Sequence, residues 1–363
     1  MKVLISGGGT GGHIFPAIAI ANAIKFRNPD IEILFVGANG KMEMKKVPEA
    51  GYNIVGLPIR GLQRKLSWQI FIWPFQLLFS LGLAVKIVMK FKPDVAVGVG
   101  GYASGPVLRV ASWFGIPIVI QEQNSFPGVT NRMLSKSASK ICVAFEGMDR
   151  FFSKEKLVLT GNPVRQDFTH LLSQQQALEF FDLDPNRKTI CVFGGSLGAR
   201  SLNDAVLHIM ERFSKHDQWQ MIWQYGSLYE SIINTPEFNL PNNVKAFPFI
   251  GRMDLAYAAA DLVIARAGAL TLSELMVTSK PNILIPSPNV AEDHQRKNAE
   301  YLVRQHAALM ILDQHIKENL WQGIVQMMND VDERRTQSQQ LKALAKPDAA
   351  HVIAEIILQT AGK

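Results

Sequence analysis

Two stretches of the chain repeat one device. VLISGGGTGGHIFP, from Val3, and CVFGGSLGARSLN, from Cys191, each run from a short apolar segment through a glycine-rich turn into a helix-like pattern. A strand that is apolar throughout, and not only at alternate positions, belongs in a parallel sheet covered on both faces. Such runs recur at Lys2–Ser6, Ile31–Val36, Asn53–Leu57, Asp94–Val99, Ile116–Gln121, Lys140–Ala144 and Leu157–Thr160. They resume at Thr189–Phe193, Met221–Gln224, Val244–Phe247, Leu262–Ala265, Ile283–Pro286 and Ala308–Leu312, and Ala349–Thr360 reads as the last helix. The pattern predicts an α/β protein with two Rossmann-like parallel-sheet domains, residues 1–164 and 165–346, and a ligand cleft between them. A length of 363 residues is too great for one core and suits two.

The first glycine turn, SGGGTGGHIFP (Ser6–Pro16), holds five glycines and one histidine. Gly7, Gly9 and Gly12 satisfy the dinucleotide spacing G-x-G-x-x-G, and Pro16 is expected in the first helical turn. Dinucleotide binding also needs an acid at the end of the second strand, to hold ribose hydroxyls. That strand ends FVGANG (Phe35–Gly40) without one, and Asp30 and Glu32 stand at its entrance. Nicotinamide and flavin are therefore disfavoured, and no cofactor is expected. Two readings stay open: N–H groups at a helix start facing an anion, or a turn that only packs. His13 either caps the helix or acts as a base, since its ordinary pKa suits proton removal from a sugar hydroxyl.

Composition narrows the partners. The net charge of +7 fits nucleic acid, an anionic membrane or a phosphate-bearing substrate, so its location decides. Between Ala50 and Pro93 there is no acid, while Arg60, Arg64, Lys65, Lys86, Lys90 and Lys92 flank the uncharged stretch Ser67–Val85. Trp68, Phe71, Trp73 and Phe75 beside that basic rim read as a patch lying on an anionic membrane surface, with Leu77–Val88 as a buried helix. A wholly buried helix and a membrane span are the alternatives, although a span would tear the sheet apart. No interleaved basic and aromatic motif points to nucleic acid. Two cysteines, Cys142 and Cys191, make no disulfide framework and fit a reducing compartment, and the N-terminus has no signal-peptide pattern.

Four ordered blocks carry a resemblance: GGGTGGHIFPA (Gly7–Ala17); GGYASGP (Gly100–Pro106) with EQNSFPGVTN (Glu122–Asn131); GNPVR (Gly161–Arg165) with GGSLGARSLN (Gly194–Asn203); and RAGALTLSE (Arg266–Glu274) with EDHQRKNA (Glu292–Ala299). Together they resemble the bacterial MurG family, which transfers N-acetylglucosamine (GlcNAc) from UDP-GlcNAc to undecaprenyl-pyrophosphoryl-N-acetylmuramyl-pentapeptide, lipid I. The resemblance spans the chain and implies a GT-B fold, with the C-terminal helix, within residues 347–363, packing back on the first domain. It implies UDP-GlcNAc, lipid I and the cytoplasmic face of the inner membrane as partners and place.

The resemblance also implies the site. Thr10, Gly11 and Gly12 would lie at the donor's leaving and transferring groups, and Asn124 and Arg165 beside them, the arginine on the pyrophosphate. Ser196 would donate to a phosphate, Ile250 would read the uracil edge through its backbone, and Ala269, Leu270 and Thr271 would surround the nucleoside. Glu274 would accept from the ribose hydroxyls and Gln295 would hold the sugar, with Tyr102 and Asn131 on the acceptor side. Without the family, Glu274 is only a glutamate near a helix start and Gln295 a surface residue. The chain departs from the common family pattern at Gln121, Leu197 and Ala267, positions that bear on contacts around the phosphate and acceptor.

The implied reaction is direct displacement with inversion, with His13 as base and Glu122 as an alternative or orienting partner. The only Asp-x-Asp pairs are Asp182/Asp184 and Asp330/Asp332, neither at a strand end, so no metal is expected. Rival readings are a UDP-GlcNAc epimerase, a transferase to a diacylglycerol acceptor, and a nucleotide-binding module without turnover.

Overall fold

The computed structural model describes every residue except 60–68, 170, 196–197, 234, 236–237 and 363, and gives the backbone path alone for 69–73, 166 and 291. The chain divides into two compact units, Met1–Val164 with Lys346–Lys363, and Arg165–Ala345.

The first unit is built on seven parallel strands: β1 (Lys2–Ser6), β2 (Glu32–Ala38), β3 (Asn53–Leu57), β4 (Val95–Gly98), β5 (Ile118–Glu122), β6 (Lys140–Val143) and β7 (Leu157–Leu159). Their order is β3-β2-β1-β4-β5-β6-β7, so the direction of winding reverses between β1 and β4. Both faces are covered, which is why the strands read as continuous apolar runs. Ile20 and Ile24 of α1 (Gly11–Arg27) pack with Ile353 and Ile357 of the C-terminal helix Ala349–Ala361 over one face. After α2 (Glu43–Glu49), the opposite face takes α3 (Gln69–Phe91), α4 (Ser104–Trp113) and α5 (Val129–Leu134).

Helix α1 starts earlier than the proline suggested. Gly11 is its first residue, so Pro16 lies in the second turn and supplies no N–H to the Gly12 carbonyl one turn before it. Helix α3 also departs from expectation. Its buried side is a narrow stripe of Ser80, Ala84 and Val88, spaced one turn apart, while Phe75, Leu78 and Phe79 are 73%, 65% and 62% exposed. Leu77–Val88 is therefore not a buried stretch. The helix is nonetheless joined to the core by Ala84 and Val88 and lies between two strands of one sheet, which excludes a membrane span. Trp68 lies outside the described residues, and Phe71 and Trp73 are on α3 with side chains outside them.

The second unit repeats the plan with six parallel strands: β8 (Lys188–Phe193), β9 (Trp219–Gln224), β10 (Val244–Phe247), β11 (Leu262–Ala265), β12 (Asn282–Leu284) and β13 (Leu309–Met310). They are ordered β10-β9-β8-β11-β12-β13, with the reversal between β8 and β11. Its helices are α6 (Gln174–Phe180), α7 (Arg200–Ser214), α8 (Glu230–Ile233), α9 (Met253–Ala259), α10 (Ala269–Thr278), α11 (His294–Arg304), α12 (Ile316–Asn329) and α13 (Val331–Leu344), leaving the C-terminal helix as α14. Cys142 on β6 and Cys191 on β8 are buried, and burial pushes each thiol up to about 12.

Candidate active site

In the first unit the site residues gather where the strand order reverses, the position at which doubly wound sheets bind ligands. Two glycine turns meet there, Gly7–Gly9 after β1 and Gly100–Gly101 after β4. A Cβ on Gly101 would strike the Gly8 backbone, and Gly8 N–H donates to Gly100 O at 3.3 Å. Thr10 is the N-cap of α1, and its hydroxyl lies 3.2 Å from His13 Nδ1. The His13 ring rests against Gly100, where a Cβ would come within 2.9 Å of Nε2. Tyr102 follows this second turn and is 54% exposed.

Glu122 ends β5 and is 1% exposed. Its carboxylate accepts from Asn124 N–H (3.0 Å), Asn124 Nδ2 (3.2 Å), Gly128 N–H (3.0 Å) and Asn131 Nδ2 (2.8 Å). Burial raises its pKa, and these four bonds pull it back. The carboxylate is thus the hub that folds the EQNSFPGVTN loop. Asn131, expected on the acceptor side, is buried beneath that hub. Gln121 is buried too, donating to Asn162 Oδ1 at 2.8 Å and accepting from Gln123. It belongs to a chain of amides behind the strand ends.

The end of β2 carries no acid of its own, as the sequence reads, but an acid from beyond it folds back there. Glu43 reaches back from the first turn of α2 and accepts from Ala38 N–H and Gly9 N–H, both at 3.0 Å. It is 1% exposed and turned inward, so no ribose can use it. It lies five residues beyond the strand end, where the dinucleotide pattern does not look.

In the second unit, α7 and α10 begin at the corresponding reversal between β8 and β11. Their N-cap residues are Ala199 and Gly268, which bring no side-chain oxygen over the first N–H groups. Ala269, Leu270 and Thr271 form the first turn of α10. Ser196 lies outside the described residues, as does Leu197. Glu274 accepts from Tyr257 OH at 2.9 Å, and burial raises its pKa to about 7, against the pull of Tyr257 and Arg165. Arg165 is exposed and lies over the Phe168 ring, 4.7 Å from its centroid.

Ile250 donates its N–H to Gln224 Oε1 at 2.8 Å, and Gln224 Nε2 donates to Gly195 O at 2.9 Å. The Ile250 N–H is therefore engaged within the protein, and Gln224, unnoticed in the sequence, ties that segment to the second glycine turn. Gln295 accepts from Ser287 N–H at 2.8 Å. It lines a cavity of about 450 Å³ with Gly194, Gly198, Ser201, Arg266 and Asp313. Arg266 pairs with Asp313 and donates to Ser201 Oγ at 2.6 Å. No spacing rule marked this trio, whose members are 47 and 65 residues from Arg266 in the chain.

Comparison with known proteins identifies the family. The glycosyltransferase family 28 N-terminal domain matches residues 3–143, and the family 28 C-terminal domain matches 189–353. The UDP-N-acetylglucosamine--N-acetylmuramyl-(pentapeptide) pyrophosphoryl-undecaprenol N-acetylglucosamine transferase of Flavobacterium psychrophilum is 50% identical over 359 residues, 99% of this chain and 97% of the relative. The enzyme of the same name from Phocaeicola vulgatus is 50% identical over 366 residues, covering 100% and 97%. The crystal structure of Acinetobacter baumannii MurG superposes with a TM-score of 0.77 at 25% identity, covering 99% of each chain. The UDP-GlcNAc 2-epimerase of Neisseria meningitidis, at 14% identity and a TM-score of 0.68 over 99% and 100%, shares the fold alone. The fold is GT-B, and the chain belongs to the MurG family of glycosyltransferases.

Proposed function

We propose that this protein is the inverting, metal-independent transferase of its family, working from the cytoplasmic face of the plasma membrane. It transfers GlcNAc from UDP-GlcNAc to the N-acetylmuramyl-pentapeptide of lipid I, giving lipid II and UDP. The observation that carries the reading is identity of 50% over 99% of the chain to a relative named for that reaction.

The second unit is the donor site. Glu274 takes the ribose hydroxyl pair, which suits a carboxylate because both hydroxyls donate. The starts of α7 and α10, with Arg165, meet the diphosphate. The Ile250 carbonyl accepts from the base. Gln295 has its oxygen engaged by Ser287, so its NH2 end would meet a sugar hydroxyl.

The first unit is the acceptor site. His13 removes the proton from the attacking 4-hydroxyl as that oxygen bonds to the anomeric carbon and UDP departs from the opposite face. Attack from that side turns an α-linked donor into a β-linkage. Thr10, Gly11 and Gly12 would face the transferring sugar, Tyr102 the acceptor. Glu122 is the orienting member, since its oxygens already hold four donors. Metal-independent departure is supported by the other duties of the aspartate pairs. Asp182 binds Lys245 at 2.7 Å, Asp184 binds Arg187 at 3.3 Å, and Asp330 caps α13 through Glu333 N–H at 2.8 Å.

Attachment to an anionic membrane is supported by Phe75, Leu78 and Phe79 on α3, with Lys86, Lys90 and Lys92 toward its end. Burying three such side chains gives several kcal/mol, at roughly 1.5–3 kcal/mol each, and each lysine adds about 1 kcal/mol near anionic lipid. That is reversible binding. A soluble sugar nucleotide would need no such surface.

The test is turnover of labelled UDP-GlcNAc with a short-chain lipid I analogue, with and without EDTA. Expected is a β-linked disaccharide product and UDP, at a rate that chelation leaves unchanged. UDP bound without product, or activity lost to EDTA, would overturn the reading.

A further inference from the structure

Glu43 has no part in the chemistry assigned above, yet it is the most enclosed carboxylate beside the first glycine turn. Its Oε2 accepts from Gly9 N–H and its Oε1 from Ala38 N–H. Its side chain fills the space that a Cβ on Gly8 or Gly37 would need: the Gly37 Cβ would fall 2.5 Å from Glu43 Cγ. Gly8 and Gly9 have φ of +153° and +89°, conformations open to glycine, and so follow the contour of that carboxylate.

The consequence is a turn whose N–H groups point away from any ligand. Gly7 N–H donates to Val36 O at 3.4 Å, Gly8 N–H to Gly100 O at 3.3 Å and Gly9 N–H to Glu43. A phosphate cradle needs such groups turned outward. Beneath the turn lies a carboxylate bound to Gly9 N–H, and Gly9 is one residue before the N-cap of α1, where the helix end carries about half a positive charge. An acidic group there offsets the attraction of the helix start for a diphosphate, and His13 lies in the first turn of that helix, four residues beyond Gly9.

We propose that Glu43 is a positioning residue: it draws the glycine turn inward and sets the field at the start of α1, so that this turn presents His13 to a neutral sugar hydroxyl and leaves the diphosphate to the second unit. The inference rests on the reading of His13 as base.

The test is Glu43→Gln in the full-length protein, with steady-state kinetics across pH and UDP binding by calorimetry. The amide keeps the shape and offers an oxygen to only one of the two N–H groups. Expected are a UDP affinity within twofold of the parent or tighter, kcat reduced at least tenfold, and an acid limb of the kcat profile moved to lower pH, because loss of the anion makes His13 easier to deprotonate. Glu43→Asp keeps the charge on a shorter arm and should lose kcat with the limb unmoved. If Glu43→Gln does not fold, Gly37→Ala displaces the carboxylate without removing it and should lower kcat at unchanged UDP affinity. An unmoved limb in folded Glu43→Gln, or UDP affinity falling in step with kcat, overturns the proposal. His13→Ala is the separating control: a limb that persists there defeats the base assignment, and the split between kcat and UDP affinity then decides the role of Glu43 alone.

Discussion

Tyr257 donates its hydroxyl to Glu274 across 2.9 Å, and burial raises the pKa of both, that of Glu274 to about 7. Burial thus shifts this carboxyl toward its protonated form, with the Tyr257 hydroxyl and Arg165 opposing the shift. In the proposed donor site the ionised form accepts from both ribose hydroxyls, whereas the protonated acid loses part of that acceptor capacity, so nucleotide binding and proton release are coupled below that pH.

The first prediction follows from that coupling. UDP affinity should fall as pH drops below about 7, approaching tenfold per unit. Glu274→Gln should flatten the dependence and weaken UDP binding at pH 8 by roughly 10- to 100-fold, the loss of a hydrogen bond to a charged group. The same group bears on stability. Its folded pKa is raised above the ordinary value, so its stabilising contribution is complete below about pH 4.5 and is lost as pH rises toward 7. The unliganded Glu274→Gln protein should therefore show a flatter melting temperature between pH 5 and 8. Calorimetric titrations and melts across pH check both, and an unchanged pH slope in the variant would defeat them.

His13 carries the second. His13→Ala should lower kcat by roughly 10²- to 10⁴-fold, the range for a lost general base, with the KM for UDP-GlcNAc nearly unchanged. Near-parental turnover in the variant would remove His13 from the mechanism.

How much of this was legible in the sequence depends on the range of the interaction. The strands were legible because parallel strands covered on both faces run apolar, as β1 and β11 do; these two and the less buried edge strands β3 and β10 have the bounds their runs gave. Helix α3 was misjudged because an uncharged stretch reads the same whether it is buried or bare. Only the stripe of Ser80, Ala84 and Val88 against Leu78 and Phe79 separates its two sides. The glycine turns and Glu274 carried local signals. Glu43, Gln224, Asp313 and Ser201 did not, because each acts on a partner 26 to 112 residues away or follows a strand end at an unscripted distance. Asn131 sits in a recognisable block, yet its burial beneath Glu122 is a property of the folded loop alone.

The Glu122 hub gives the third prediction. In Glu122→Gln one oxygen must serve where two did, and at least one of the Asn124, Gly128 and Asn131 donors loses its acceptor inside the protein. A buried donor left unpaired costs about 1–3 kcal/mol. The first unit should melt about 2–10 °C lower, given the usual conversion for domains of this size. Differential scanning calorimetry checks it. A melting temperature within a degree of the parent would mean that the loop does not depend on the carboxylate.

The last prediction separates the membrane role of α3 from its role in the core. Leu78 and Phe79 are exposed, whereas Ala84 and Val88, on the same helix, are buried. Leu78→Glu with Phe79→Glu should leave the melting temperature nearly unchanged, because neither side chain fills the interior. Binding to vesicles containing anionic phospholipid should fall at least tenfold, since the change removes roughly 3–6 kcal/mol of apolar burial and adds two like charges facing the lipid. Turnover of a short-chain, water-soluble acceptor should persist, while turnover of full-length lipid I in vesicles should drop in parallel with binding. Vesicle flotation at low and high salt checks the electrostatic share, which screening should weaken in the parent protein. Undiminished flotation of the double variant would place the membrane contact elsewhere on the molecule, and an equal loss of turnover with both acceptors would mean that α3 serves the active site and not the lipid.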